Sequence, residues 1–283
     1  MRLRIEHTLS YRYSQPVTLD SQTVRLRPRP DTRQQVLKFD LTIMPPPSYI
    51  THHADSENNT LATAWFEASY KELNISACSE VETSERNPYD FFITEPTMNH
   101  LPLVYPEPDK SLLALYIMNH KKISREINDF LKPVLIQAKY ETVPFLGGLV
   151  TCIFDRLKRE ERKHGDPWVP EKTLQKGKGS CRDFAWLYVV SCRSLGLAAR
   201  FVSGYHLPFN PRKKPELHAW AEVFLPGAGW LGFDPSLGLT IDARHVTLAA
   251  SYDPILTLPT DGKFWGKDAK SDLKATISIR PLE

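Results

Sequence analysis

Gly177-Lys178-Gly179-Ser180-Cys181-Arg182-Asp183-Phe184-Ala185-Trp186-Leu187-Tyr188-Val189-Val190-Ser191-Cys192-Arg193-Ser194-Leu195-Gly196 is the stretch on which the fold turns. Two glycines make a flexible turn, and Ser180 is a natural N-cap. Phe184 to Leu195 is apolar almost all round, which predicts a buried central helix ended by Gly196. Cys181 then falls in the first turn. A helix N-terminus carries partial positive charge and unpaired N–H groups, and both favour thiolate over thiol. With a histidinium nearby, a cysteine there can drop from about 8.5 into roughly the 3.5–7.5 range. The same N–H groups can hold the oxyanion of a tetrahedral intermediate. The plainer alternative is a structural thiol packed under the glycine turn.

A second segment supplies partners for that thiol. His218-Ala219-Trp220-Ala221-Glu222-Val223-Phe224-Leu225 alternates as a strand, Pro226-Gly227-Ala228-Gly229 is a turn, and Trp230-Leu231-Gly232-Phe233-Asp234-Pro235 returns as a second strand. A hairpin centred near Pro226 sets His218 opposite Asp234. A loop centred one or two residues later makes them diagonal neighbours. Either register lets imidazole and carboxylate approach across adjacent strands. Cys181 would then attack an amide carbonyl. His218 would keep it ionised and protonate the leaving amine, and Asp234 would fix the imidazole. Trp220 and Trp230 are candidates to shield the site from water, against a plain reading as core.

Gly179 to Ala185, Ala199 to Tyr205, His218 to Val223 and Gly229 to Pro235, in that order and spacing, resemble the bacterial transglutaminase-like family of the papain-like superfamily. The resemblance is close from Gly177 to Pro235. It implies Cys181 as nucleophile, His218 as base and Asp234 as orienting acid. Gln175, six residues before Cys181, stands at the spacing papain-like proteases use for a glutamine oxyanion donor, beside the Cys181 backbone itself. Met1 to Tyr13 and the Asp55 to Asn59 turn are similar to the family's β-rich N-terminal domain. His245-Val246 and Tyr252-Asp253-Pro254 are similar to its C-terminal part. Ala249-Ala250-Ser251 departs from the pattern, lacking the glycine and arginine usual before that tyrosine.

The remaining chain is consistent with this. Leu3, Ile5, Leu9, Tyr11 and Tyr13 alternate with polar residues, and Leu37 to Ile43 and Leu73 to Val81 repeat the pattern, so residues 1–95 are expected to form an antiparallel, sandwich-like β domain. Leu146, Leu149, Val150, Ile153, Phe154 and Leu157 form one apolar stripe of a helix, with Lys158 to Lys163 as its solvated end. A shorter helical stretch over 123–137 is interrupted by Pro133. Residues 96–283 are grouped as the catalytic domain, helical over 109–165 with its core over 166–283. The fold class is α+β: a papain/transglutaminase-like core, with a buried helix packed on an antiparallel sheet, following the β domain.

Composition narrows the function. Among 283 residues, Lys+Arg 36 against Asp+Glu 33 gives +3, which is no basic stripe for nucleic acid. Cys78, Cys152, Cys181 and Cys192 form no C-x-x-C pair, and His52-His53 has no second ligand cluster, so neither a metal nor another cofactor is expected. No apolar run is long enough for a membrane span, and the charged N-terminus lacks a signal-peptide core, so the expectation is a cytoplasmic chain with no membrane partner. The expected partner is a peptide or protein substrate bearing an amide. The expected function is acyl transfer through a thioester, as a cysteine peptidase or amidase. Transamidation onto amines, as in a transglutaminase, and an inactive peptide-binding module are the alternatives.

Overall fold

The computed structural model describes residues 1–119, 122–162, 165–210 and 212–282. Its first strand, β1 (Arg2–Leu19), buries the alternating Leu3, Ile5 and Leu9. The others of the N-terminal part are β2 (Gln22–Val24), β3 (Gln34–Met44), β4 (Tyr49–Ala54), β5 (Thr60–Trp65) and β6 (Ser69–Thr83). One sheet has β1 beside β6 and β6 beside β3; the other has β2 beside β5 and β5 beside β4. A single apolar cluster draws Leu3, Ile5 and Ile75 from the first and Val24, Ala62 and Ala64 from the second, as a sandwich requires.

The C-terminal strands return to this part. They are β14 (Thr260–Asp261), β15 (Phe264–Trp265) and β16 (Ser271–Leu282). β16 lies antiparallel along β1 from Arg2↔Leu282 to Tyr13↔Ser271, while β14 pairs with β2. Residues 260–282, grouped by the sequence reading with the catalytic part, thus complete the N-terminal sheets. The open edge of β1 explains why: its unpaired backbone groups need a partner, and Leu273, Ile277 and Ile279 bring apolar cover to the same cluster.

Two single-turn helices, α1 (Asp109–Leu112) and α2 (Ala114–Ile117), precede α3 (Arg125–Gln137) and α4 (Thr142–Arg156). α3 runs through Pro133 rather than breaking there. Pro133 and Asp129, whose carbonyl loses its partner, both lie on the exposed face, where water can replace the missing bond. α4 buries Leu146, Leu149, Val150 and Ile153 as predicted, but Phe154 is exposed. The charged run is not the end of α4. Leu157 turns extended, and β7 (Lys158–Arg159) pairs in parallel with β8 (Lys178–Gly179), just beyond α5 (Pro170–Lys176). Lys163 lies outside the described residues.

The predicted central helix is α6 (Cys181–Ser194). It packs on a fully antiparallel sheet made of β9 (Ala199–His206), β10 (Glu216–Leu225), β11 (Gly229–Asp234), β12 (Leu239–Thr240) and β13 (His245–Ser251), in the order β12-β11-β10-β9-β13. The outer edge of β13 is paired by side chains of the N-terminal part. Gln34 accepts the Thr247 N–H and donates to its carbonyl, both at 2.8 Å. Asn59 does the same to Ala250 at 2.9 and 3.0 Å. No helix among the described residues is long and apolar enough to cross a membrane.

Candidate active site

Cys181 opens α6 because Asp183 builds the turn before it. The Asp183 carboxylate is fully buried and accepts from the Ser180 N–H and hydroxyl, the Trp168 N–H and the Arg162 guanidinium, at 2.6 to 3.1 Å. Burial alone would raise its pKa, but these donors outweigh it and the net shift is downward. Asp183 is therefore a capping and ion-pair residue directed away from the thiol. Cys181 is half-buried, at the free N–H groups of the first turn.

The β10–β11 hairpin pairs Ala221 with Phe233 and Leu225 with Gly229. This is the diagonal register: Asp234 comes level with Trp220, and His218 lies two residues along on the same face. His218 Nε2 is 2.6 Å from Asp234 Oδ2, with His218 2% and Asp234 0% exposed. Asp234 Oδ1 accepts from the Ser236 N–H (2.9 Å), the Ser236 hydroxyl (2.8 Å) and the Leu237 N–H (3.2 Å). With Nε2 engaged, Nδ1 is the ring nitrogen left for the thiol.

Burial opposes charge at all three positions, and mutual attraction overrides it. The Cys181 thiol is pushed up by burial but brought below its usual value by the charge and hydrogen bonding of His218, with Arg159 helping and Glu216 opposing. Burial would lower His218, yet Asp234 and then Cys181 raise it to about 10. Asp234, resisted by burial, is held well below the carboxylate range by His218 and His245. The arrangement favours a thiolate–imidazolium pair backed by an ionised carboxylate.

The other predicted residues divide. Trp220 is fully buried and packs beside His218, with ring centroids 6.3 Å apart. Trp230 sits four residues before Asp234, about 13 Å along the strand. There it is paired with Phe224 and covered by the Arg200 guanidinium at 4.0 Å. Gln175 is exposed on α5, and among the described residues no hydrogen bond joins it to Cys181. His218, Asp234 and His245 offer ligand atoms within 4.8 Å of one another, but at 2.6 Å the first two make a hydrogen bond, not a metal-spanning gap.

Sequence reasoning had His245 in the C-terminal resemblance and Arg159 in a charged run, but gave neither its partner at the site. Arg159 comes within electrostatic range of the thiol from β7, which a charged run does not announce. His245 Nε2 lies 3.2 Å from Asp234 Oδ2. It opens β13, with no hairpin to betray its partner. His206 also packs here, its ring 5.4 Å from that of His218 and 4.6 Å from that of His245. Burial first, then those two rings, push its pKa down to about 3, so it stays neutral.

Comparison with known proteins agrees with this layout. Residues 3–82 match the bacterial transglutaminase-like N-terminal region, and residues 149–235 match the transglutaminase-like superfamily. An uncharacterized protein of Mycobacterium tuberculosis (strain ATCC 25618 / H37Rv) is 27% identical over 296 residues, spanning 100% of this chain and 93% of that protein. An uncharacterized protein of Mycobacterium leprae (strain TN) is 24% identical over 305 residues, spanning 99% of each. The crystal structure of "a Putative Cysteine Protease from Cytophaga hutchinsonii" superposes with a TM-score of 0.73 at 18% identity, covering 100% of this chain and 92% of that one, a likeness of fold. Residues 149–235 thus form a core of the transglutaminase-like superfamily, and residues 3–82 ahead of it a bacterial transglutaminase-like N-terminal region.

Proposed function

We propose that this protein is a cysteine-nucleophile acyl-transfer enzyme that cleaves amide bonds through a thioester, with Cys181 as nucleophile, His218 as acid–base and Asp234 as its orienting carboxylate. The observation that carries the reading is geometric: a thiol at the start of α6 stands against an imidazole that a buried carboxylate holds at 2.6 Å, an arrangement that lowers the Cys181 pKa and raises that of His218. In the first step the thiolate forms a C–S bond to the amide carbon. The oxyanion is met by the N–H groups at the start of α6. The His218 Nδ1 proton passes to the leaving nitrogen as the C–N bond breaks. In the second step a water gives a proton back to His218 and attacks the thioester, and the thiolate leaves. Trp220 keeps water from the His218–Asp234 bond.

Water is the acceptor we favour, because it is always present, whereas amine transfer requires a site that excludes it. A free thiol suits a reducing setting such as the cytoplasm, and all four cysteines are free. The class is tested by the pH dependence of iodoacetamide labelling at Cys181. Fast labelling already near about pH 6, slowed at least tenfold in His218→Ala, is expected. A thiol titrating at about 8.5 with no His218 dependence would leave a binding module instead. A glutamine peptide offered with and without a fluorescent amine separates the acceptors. Ammonia release in the absence of amine supports hydrolysis, and amine incorporation that outpaces it marks a transglutaminase.

A further inference from the structure

At the foot of β13 lie groups to which the acyl-transfer steps assign no part: the buried His206 and His245 and the half-buried Asp242. Of these, His245 reaches the reacting set. Its Nε2 approaches Asp234 Oδ2 at 3.2 Å, the same oxygen that His218 holds at 2.6 Å. Its Nδ1 is 2.9 Å from Asp242 Oδ1 and 3.2 Å from the Asp242 backbone nitrogen. A protonated Nδ1 donates to the carboxylate; a bare one accepts the amide N–H. Nε2–H is available to Asp234 in the imidazolium and in the neutral ring whose Nδ1 is bare, but not in a neutral ring protonated on Nδ1. Trp220 meets the His245 ring edge-on at 5.3 Å, and the His245 side chain has no solvent exposure, so its orientation is fixed by packing.

Resting on the acid–base role of His218 given above, we propose that His245 is a positioning residue acting through Asp234: it occupies part of the Oδ2 acceptor and so limits how tightly Asp234 binds the His218 proton. An oxygen shared by two N–H donors is a weaker acceptor for each. Asp234 can then hold the imidazolium by its Nε2–H without making the ring so basic that the Nδ1 proton is kept from the leaving amine. The Asp242 carboxylate, pushed up by burial but brought down overall by His245, is kept ionised behind the ring. The groups facing His245 are Asp234 on β11, His218 and Trp220 on β10, His206 on β9 and Asp242 on its own loop. Asp31 and Arg33 of the N-terminal part line the small cavity beside it.

The test is an equilibrium titration of the full chain by ¹⁵N-imidazole NMR, with the His218 signal assigned from its loss in His218→Gln. In wild type the His245 nitrogen shifts should show a protonated Nε2. His245→Phe keeps ring volume but removes the donor, and should raise the His218 proton affinity about threefold, half a pH unit. His245→Gln keeps an N–H for Asp234 and should restore the wild-type midpoint, which a merely space-filling role would not do. A His218 midpoint unchanged or lowered in folded His245→Phe overturns the proposal. So does a bare His245 Nε2 in wild type, which decides the matter even where His245→Phe fails to fold. No substrate is involved. A failed amide-cleavage assay with an intact titration effect would sink the enzymatic reading alone, and a flat titration with intact cleavage would sink this one alone.

Discussion

Asp234 accepts five hydrogen bonds, three on Oδ1 from the turn that follows it and two on Oδ2 from imidazoles. The Oδ1 donors aim the carboxylate, and the Oδ2 donors receive its charge. Asp234→Asn keeps much of the shape but loses the charge that raises His218. His218 should then titrate nearer its ordinary value, and Cys181 should lose its counter-ion. Labelling of Cys181 at about pH 6 is expected to slow at least tenfold, with the rate recovering toward alkaline pH as the thiol ionises unaided. A variant that labels like wild type across the range would remove Asp234 from the account.

At the scale of elements, α6 delivers the thiol and Asp183 holds the start of α6. Its carboxylate is depressed in the folded state, so its stabilisation is present above the unfolded carboxylate pKa and lost as pH falls through the folded one. Asp183→Asn should cost about 2–4 kcal/mol at neutral pH, because a buried acceptor loses its charge against Arg162 and several N–H donors. The gap between wild type and variant, read by urea unfolding, should shrink as pH drops below about 4. A gap that stays constant with pH would show the loss to be steric rather than ionic. The helix itself was legible: a capping residue, an apolar run and a closing glycine are local signals. The β7–β8 pair that brings Arg159 within electrostatic range of the thiol was not, because two-residue parallel pairing leaves no periodicity.

Across the whole molecule, the N-terminal part pins the edge of the sheet that carries His218 and Asp234 through Gln34 and Asn59, each imitating a neighbouring strand with a side-chain amide. β13, so pinned, carries His245 at its start. Gln34→Leu should leave the Thr247 N–H unpaired and its carbonyl with the Arg29 N–H alone, at a cost of about 2 kcal/mol, and raise hydrogen exchange at the beginning of β13. Unchanged exchange there would mean that β9 alone holds the strand. β16 closes the same part from the other end of the chain, and its pairing with β1 spans most of the sequence.

Local order was readable from the sequence by itself: the alternation in β1, the cap and apolar run of α6, and the hairpin bearing His218 and Asp234 all come from neighbouring residues, whose spacing states which face is buried. Only the tertiary structure decided the diagonal register of that hairpin, the return of β16 to β1, the second imidazole on Asp234 and the exposure of Gln175. These depend on which distant strand edge or buried oxygen needs a partner. That requirement arises when elements pack and backbone and carboxylate groups leave water.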